Sequence, residues 1–268
     1  MDSGCRMLVA DDSHAVRRLF REVASRAHMP VTLVEASDGN ECKRLLMKGE
    51  IHLAFIDVFM PGPSGIEVIM AARRAGSRTF MTLMSEREDE ELFELARQLK
   101  VYEFLIKPFT IGQVQSILRI YNHIASPLHA LIIDDSETAG RVIQTVLAKS
   151  VFRLVLERAT DASTAIALCK SELFDIAFLN CTASRHDASA IVKRLTKHNP
   201  AIKIVMMTSE DSWNRQDAAT QLGAAAFVEK PFSAEQVDGV LHRLYGLPVP
   251  ALQRSEADSS GDLGSLVA

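Results

Sequence analysis

The chain has no Cys-x-x-Cys pair, and its four cysteines, at positions 5, 42, 169 and 181, lack metal-ligand spacing. A zinc centre or disulfide framework is therefore not expected, and small buried thiols in a reducing compartment are. No apolar stretch approaches the roughly 18 residues that a membrane helix needs. The amino terminus, MDSGCRMLVADDS, meets acidic residues after a short apolar run, so the reading is no signal peptide, no membrane partner and a cytoplasmic location. Charge of one sign is also lacking. A net charge of -4 gives no electrostatic reason to expect nucleic acid or an anionic surface as partner. Neither a dinucleotide-type glycine fingerprint nor a phosphate-binding P-loop follows any expected strand, which argues against the common nucleotide-binding folds.

What is present is a chain of 268 residues, 47% hydrophobic and 24% charged, a composition typical of globular proteins. That length suits two domains of about 120 residues better than one core. The chain also repeats itself at an offset of 123 residues without a gap. Asp11, Asp12 and Ser13 fall on Asp134, Asp135 and Ser136; Ala54 and Phe55 on Ala177 and Phe178; Phe104 on Phe227; and Lys107, Pro108 and Phe109 on Lys230, Pro231 and Phe232. DDS and KPF recurring at one mutual spacing imply duplicated architecture.

Short apolar runs alternate with stretches of helical periodicity, the pattern of successive strand-helix units around a parallel sheet, an α/β class. Strands are expected at 6–10, 31–36, 53–57, 79–84 and 102–105, and again near 129–133, 154–159, 175–180, 202–207 and 225–228. Several are apolar throughout, as strands covered on both faces are. Ser13 is the expected N-cap of the first helix, whose Val16, Leu19, Phe20 and Val23 recur every three or four residues. The last helix is expected to run to about Tyr245. Only Ala125, Ser126 and Pro127 separate the halves, which predicts a restricted relative orientation. The domains are read as 1–125 and 128–246. Residues 247–268, rich in Pro, Gly and Ser, are read as a disordered tail.

In a doubly wound parallel sheet, ligands bind beyond the carboxyl ends of the strands. The residues expected there in the first half are Asp11 and Asp12, Asp57, Ser85 and Lys107. Gathered carboxylates repel one another and persist only with compensating cations, and hard oxygen ligands suit Mg2+. Lys107 supplies further positive charge. A divalent ion, an ammonium and a hydroxyl around one carboxylate are what in-line phosphoryl transfer onto that carboxylate requires, with Asp57 as nucleophile. Taken singly, an Asp at a strand end is a helix cap, a Lys a solvated charge and Phe104 a core residue. Their joint spacing, repeated in the second half, favours a site.

The segments DDS, IDVFMPGPSG, MS and FLIKPF resemble the signature of the receiver domain of two-component response regulators, over residues 6 to about 124. The resemblance implies tandem flavodoxin-like (βα)5 folds. It implies that Asp57 is the phosphoacceptor, that Asp12 binds Mg2+ directly and Asp11 partly through water, and that the backbone carbonyl of Phe59 completes the protein ligands. Ser85 would bond the phosphoryl oxygen, Lys107 would pair with it, Pro108 would follow a cis peptide bond, and Ser85 and Phe104 would form the switch. The implied donor is a histidine kinase or histidine phosphotransfer protein. The downstream protein target is unspecified. Output would run through the face of the fourth helix, fifth strand and fifth helix, near residues 88–98 and 110–124, which also allows a homodimer. No DNA-binding or cyclase module is read after the second repeat. The protein is read as a signalling phosphoacceptor, not an enzyme beyond Mg2+-dependent self-phosphorylation and self-dephosphorylation.

The second copy departs from this pattern. Asn180 stands where Asp57 stands in the first, and a carboxamide can neither attack phosphorus as a carboxylate does nor neutralise Mg2+. Asp134, Asp135, Thr208 and Lys230 remain around it, while the following loop reads TASRHD. The second domain is thus read as a degenerate pseudo-receiver serving as a fixed interaction surface. The alternative function is a phosphorylation-independent adaptor built from two receiver folds, which Mg2+ dependence would discriminate. An aspartyl-phosphate hydrolase is disfavoured, because such enzymes carry the nucleophile in a DxD motif after the first strand. The first copy also departs at Glu86, where a small residue is common, and at Phe59, a position that often orients hydrolytic water. Apolar Phe59 offers water no hydrogen bond, so slow self-dephosphorylation is expected. Following the purified phosphoprotein over time checks this, and decay within seconds would contradict it.

Overall fold

The computed structural model describes residues 4–87, 89–180, 185–209 and 223–250, with side chains 185–187 and 209 left aside. It divides into two compact units, residues 4–123 and Ile124–Val249. In the first, β1 (Cys5–Ala10), β2 (Val31–Ala36), β3 (Leu53–Asp57), β4 (Phe80–Ser85) and β5 (Glu103–Ile106) alternate with α1 (His14–Ser25), α2 (Gly39–Met47), α3 (Gly65–Arg74), α4 (Glu90–Gln98) and α5 (Ile111–Ala125). In the second, β6 (Leu128–Ile133), β7 (Leu154–Ala159), β8 (Ile176–Asn180), β9 (Lys203–Ser209) and β10 (Ala226–Lys230) accompany α6 (Glu137–Leu147), α7 (Ala162–Ser171), α8 (Arg185–His198) and α9 (Ala234–Leu244).

Every strand pairing is parallel. The sheet orders are β2-β1-β3-β4-β5 and β10-β9-β8-β6-β7, the same topology read from opposite edges. The expected strands all form, with ends displaced by at most two residues. The last helix ends at Leu244, with Tyr245 as its C-cap.

Alternate residues of each strand face opposite sides of the sheet. Leu8, Ala10, Ala54 and Ile56 pack with Cys42 and Leu46 of α2 and Val68 and Ile69 of α3. Met7, Val9, Leu53 and Phe55 pack with Phe20 and Val23 of α1 and Val114 and Ile117 of α5. Both faces are therefore covered, which explains why β3 is buried at every residue. The edge strands β2 and β7 share a half-buried pattern because each has a neighbour on one side only.

Helix starts follow the local chemistry. Ser13, Asp38, Ser64, Asp89, Ser136, Asp161 and Ser233 each accept a backbone N–H of the first turn that they precede. Cys5, Cys42 and Cys169 are buried free thiols, and burial pushes those of Cys5 and Cys42 up to about 11 and about 12. Such thiols are inert. Cys181 and residues 251–268, most of the segment read as a disordered tail, lie outside the described residues.

At the amino-terminal edge of the first sheet, Arg73 replaces the usual ion pair with backbone acceptors. Its Nε donates to the carbonyl of Leu99 (3.0 Å), Nη1 to those of Ser77 and Thr79 (2.8 and 3.0 Å) and Nη2 to that of Lys100 (3.0 Å). One side chain thereby ties the loop before β4 to the loop before β5. Arg73→Ala is expected to lower the stability of the first domain by about 2 kcal/mol, because part-buried carbonyls lose their donor. Urea unfolding of the full chain measures this.

Candidate functional site

The site follows from register. Ala10 lies opposite Ile56, so the residues after them, Asp11 and Asp57, leave the carboxyl ends of adjacent strands side by side. This is where the strand order reverses, the crevice in which such sheets bind ligands. Ligand oxygens of Asp11, Asp12 and Asp57 lie within 4.8 Å of one another. Asp11 and Asp57 are buried and Asp12 is exposed.

From the end of β5, Lys107 reaches in with its ammonium 2.8 Å from Asp11 Oδ2 and 3.0 Å from Asp57 Oδ1. The Lys107 N–H donates to the Ser85 carbonyl at 2.7 Å, which fixes the lysine's root. Both Lys107–Pro108 and Lys230–Pro231 are cis. Gly65 opens α3 so close to β3 that a Cβ there would lie 2.2 Å from the Asp57 carbonyl oxygen, so only glycine allows this approach. Its counterpart in the repeat is Ala188.

Burial pushes the Asp57 carboxyl up to about 6, against the opposing pull of Lys107, with Asp11 and Asp12 adding to the rise. Burial acts to lower Lys107, but the carboxylates of Asp11 and Asp57 outweigh it and hold the ammonium above its ordinary range. One ammonium beside three carboxylates leaves negative charge in excess. An all-oxygen donor set of this kind fits a hard divalent cation such as Mg2+.

The remaining expected residues fall around this pocket. Ser85 is buried at the end of β4, and its hydroxyl donates to the Arg87 carbonyl (3.0 Å) and accepts from the Arg87 N–H (3.2 Å). Phe104 is buried on β5 and stacks on Phe93 of α4, with centroids 4.3 Å apart. Phe59 follows the pocket strand with its side chain 67% exposed. Neither Arg87 nor Phe93 was legible as a partner, since one acts through its backbone and the other reads as an ordinary apolar helix position. Also unanticipated is Arg17 of α1, whose Nη1 donates to the carbonyls of Asp11 (2.7 Å) and Asp12 (3.0 Å). The repeat conceals it, because Gly140 stands at the corresponding position.

In the second unit the same register sets Asp134 beside Asn180, after the pair Ile133 and Leu179. The Lys230 ammonium lies 3.2 Å from Asp134 Oδ2 and donates to Asn180 Oδ1 at 2.9 Å. Asn180 Nδ2 makes a long 3.5 Å contact to Asp135. Thr208 is half-buried on β9. Removing one carboxylate leaves this copy with less charge to offset. The side chains of the TASRHD loop lie outside the described residues.

A family model described as the response regulator receiver domain matches residues 7–119 and again 130–242. The transcriptional regulatory protein GlnL of Bacillus subtilis is 29% identical over 115 residues, spanning 42% of this chain and only 36% of GlnL. Sporulation initiation phosphotransferase F of the same organism is 21% identical over 116 residues, 43% of this chain and 92% of that protein. A solved protein described as a two-component system response regulator/GGDEF domain protein aligns with 90% of this chain and 99% of its own, at a TM-score of 0.59 and 18% identity, a likeness of fold. No helix among the described residues is long and apolar enough to cross a membrane.

The raised Asp57 value has a sign that can be tested. A carboxyl raised on folding binds more protons when folded than unfolded, so without metal its contribution falls as pH rises between about 4 and about 6 and is fully unfavourable above. Asp57→Asn removes that charge. At pH 7 in EDTA the variant is expected to be more stable than the wild type by on the order of 2 kcal/mol, read from thermal melts. Added Mg2+ is expected to raise the wild type more than the variant.

Proposed function

The chain belongs to the response regulator receiver domain family, which it carries twice, and from that premise we propose that the first copy accepts a phosphoryl group on Asp57 from a histidine kinase or histidine phosphotransfer protein. The observation that carries this is the Lys107 ammonium held between Asp11 and Asp57 in a pocket of three carboxylates. The two receiver-domain matches and relatives such as GlnL support a two-component response regulator.

An oxygen of the Asp57 carboxylate attacks the phosphorus of a phosphohistidine. The new O–P bond forms as the P–N bond breaks, and the bonding pair leaves on the imidazole. Asp11, Asp12 and Asp57, with the Phe59 backbone carbonyl, would hold Mg2+. Bound there, Mg2+ supplies charge neutralisation for the transferring group. Lys107 stabilises one phosphoryl oxygen, and Ser85 would exchange its bonds with Arg87 for another. That movement would release the loop that leads into α4, whose Phe93 stacks on Phe104, shifting a two-state population.

We assign residues 1–125 to this phosphoacceptor domain and 128–246 to a pseudo-receiver. Support for the second is the Lys230–Asn180 bond, in which the carboxamide oxygen accepts from the ammonium with no second carboxylate for it to neutralise at that position. Output then runs by protein contact at the face of α4, β5 and α5, in the cytoplasm, with no turnover beyond self-phosphorylation and self-dephosphorylation. The adaptor reading applies to the second copy on its own evidence, since Asn180 has no nucleophilic oxygen to offer.

Intact-mass measurement after incubation with acetyl phosphate and Mg2+ tests this. One added phosphoryl group is expected in the wild type and in Asn180→Ala, and none in Asp57→Asn or in EDTA. No uptake by the wild type with Mg2+ would move the whole protein to the phosphorylation-independent adaptor.

A further inference from the structure

The two copies solve one local problem in opposite ways. In the first, Arg17 on α1 carries the guanidinium, and Glu35 near the end of β2 carries the carboxylate. The two are 3.3 Å apart, and Arg21 grips the same carboxylate through both oxygens, at 2.6 and 2.8 Å. Arg17 is only 15% exposed in its side chain. Its Nη1 closes on the carbonyls of Asp11 and Asp12, the peptide units that bear two of the pocket's three carboxylates.

In the second copy both residues differ. The position of Arg17 is Gly140, and the position of Glu35, fixed by the equivalent pairings Val9 with Glu35 and Ile132 with Arg158, is an arginine. The Arg158 guanidinium swings over Gly140, where a Cβ would sit 2.9 Å from its Nη2. It donates to the carbonyl of Glu137 at 3.0 Å. Among the described residues, no guanidinium bonds the carbonyls of Asp134 or Asp135. The clamp on the acidic peptides is thus present where Asp57 is present and missing where Asn180 has replaced it.

We propose that Arg17, held by Glu35, which Arg21 grips in turn, is a positioning residue for the divalent-cation site, fixing the Asp11 and Asp12 peptides so that their carboxylates converge. The physical basis is rigidity. Lys107 offsets part of the repulsion among the three carboxylates gathered within 4.8 Å, and a guanidinium bonded to two successive carbonyls limits how far the backbone can relax them apart. Its positive charge also lies against the electronegative side of both peptides. The inference rests on the reading of Asp11, Asp12 and Asp57 as Mg2+ ligands. It adds a residue that never touches the metal.

The test is Mg2+ titration of the full chain by isothermal calorimetry, alongside thermal melts in EDTA. Arg17→Ala is expected to weaken Mg2+ binding about tenfold, with Arg17→Lys intermediate because an ammonium lacks the planar fork. The double variant Arg17→Gly with Glu35→Arg copies the arrangement that the second domain already folds with. It should melt as a cooperative domain and still bind Mg2+ about tenfold more weakly. Variants that lose melting temperature but bind Mg2+ like the wild type would make Arg17 structural only and overturn the proposal. A wild type that binds no Mg2+ would instead remove the reading of the site itself, and the clamp with it.

Discussion

The contact on which the first domain's chemistry depends is the Lys107 ammonium lodged between Asp11 and Asp57. It allows two buried carboxylates to share one crevice, yet it does not neutralise the pocket. With Asp12 nearby the balance remains negative, and burial still leaves Asp57 reluctant to ionise. A site so built fits a hard cation, because one ammonium leaves its negative charge in excess.

The second copy shows what remains when that excess is reduced. The strand register, the lysine, the cis Lys-Pro bond and the first aspartate are all retained. A carboxamide in place of the carboxylate accepts from Lys230 and needs no cation. Ala188 stands in place of Gly65, whose lack of a Cβ allows the close approach of helix to strand that frames Asp57.

Around the pocket, function is carried as much by backbone as by side chains. Ser85 holds the peptide of Arg87, Lys107 is rooted on the carbonyl of Ser85, and Arg17 grips the carbonyls of Asp11 and Asp12. Loops at a strand's carboxyl end are thus fixed by groups from neighbouring elements. Phe104, stacked on Phe93, joins β5 to α4.

Most of the fold was legible in the sequence because hydrophobic period and capping chemistry are local. Alternation and apolar runs marked the strands, and Ser13 capped the helix it precedes. The repeat exposed Asp11, Asp12, Asp57 and Lys107, since four polar residues at strand ends in each half exceed what solvation needs, and it exposed the loss at Asn180 in the same comparison. What tertiary structure alone decided were contacts between elements distant in sequence. An arginine on an amphipathic helix looks like a solvated charge until β2 brings Glu35 against it, and the exchange of Arg17 and Glu35 for Gly140 and Arg158 looks like drift until both sheets are seen to place them at one register. Sequence determines which groups lie at the strand ends, because that depends on period. The direction in which those groups are held depends on what packs beside them, and only the folded chain supplies it.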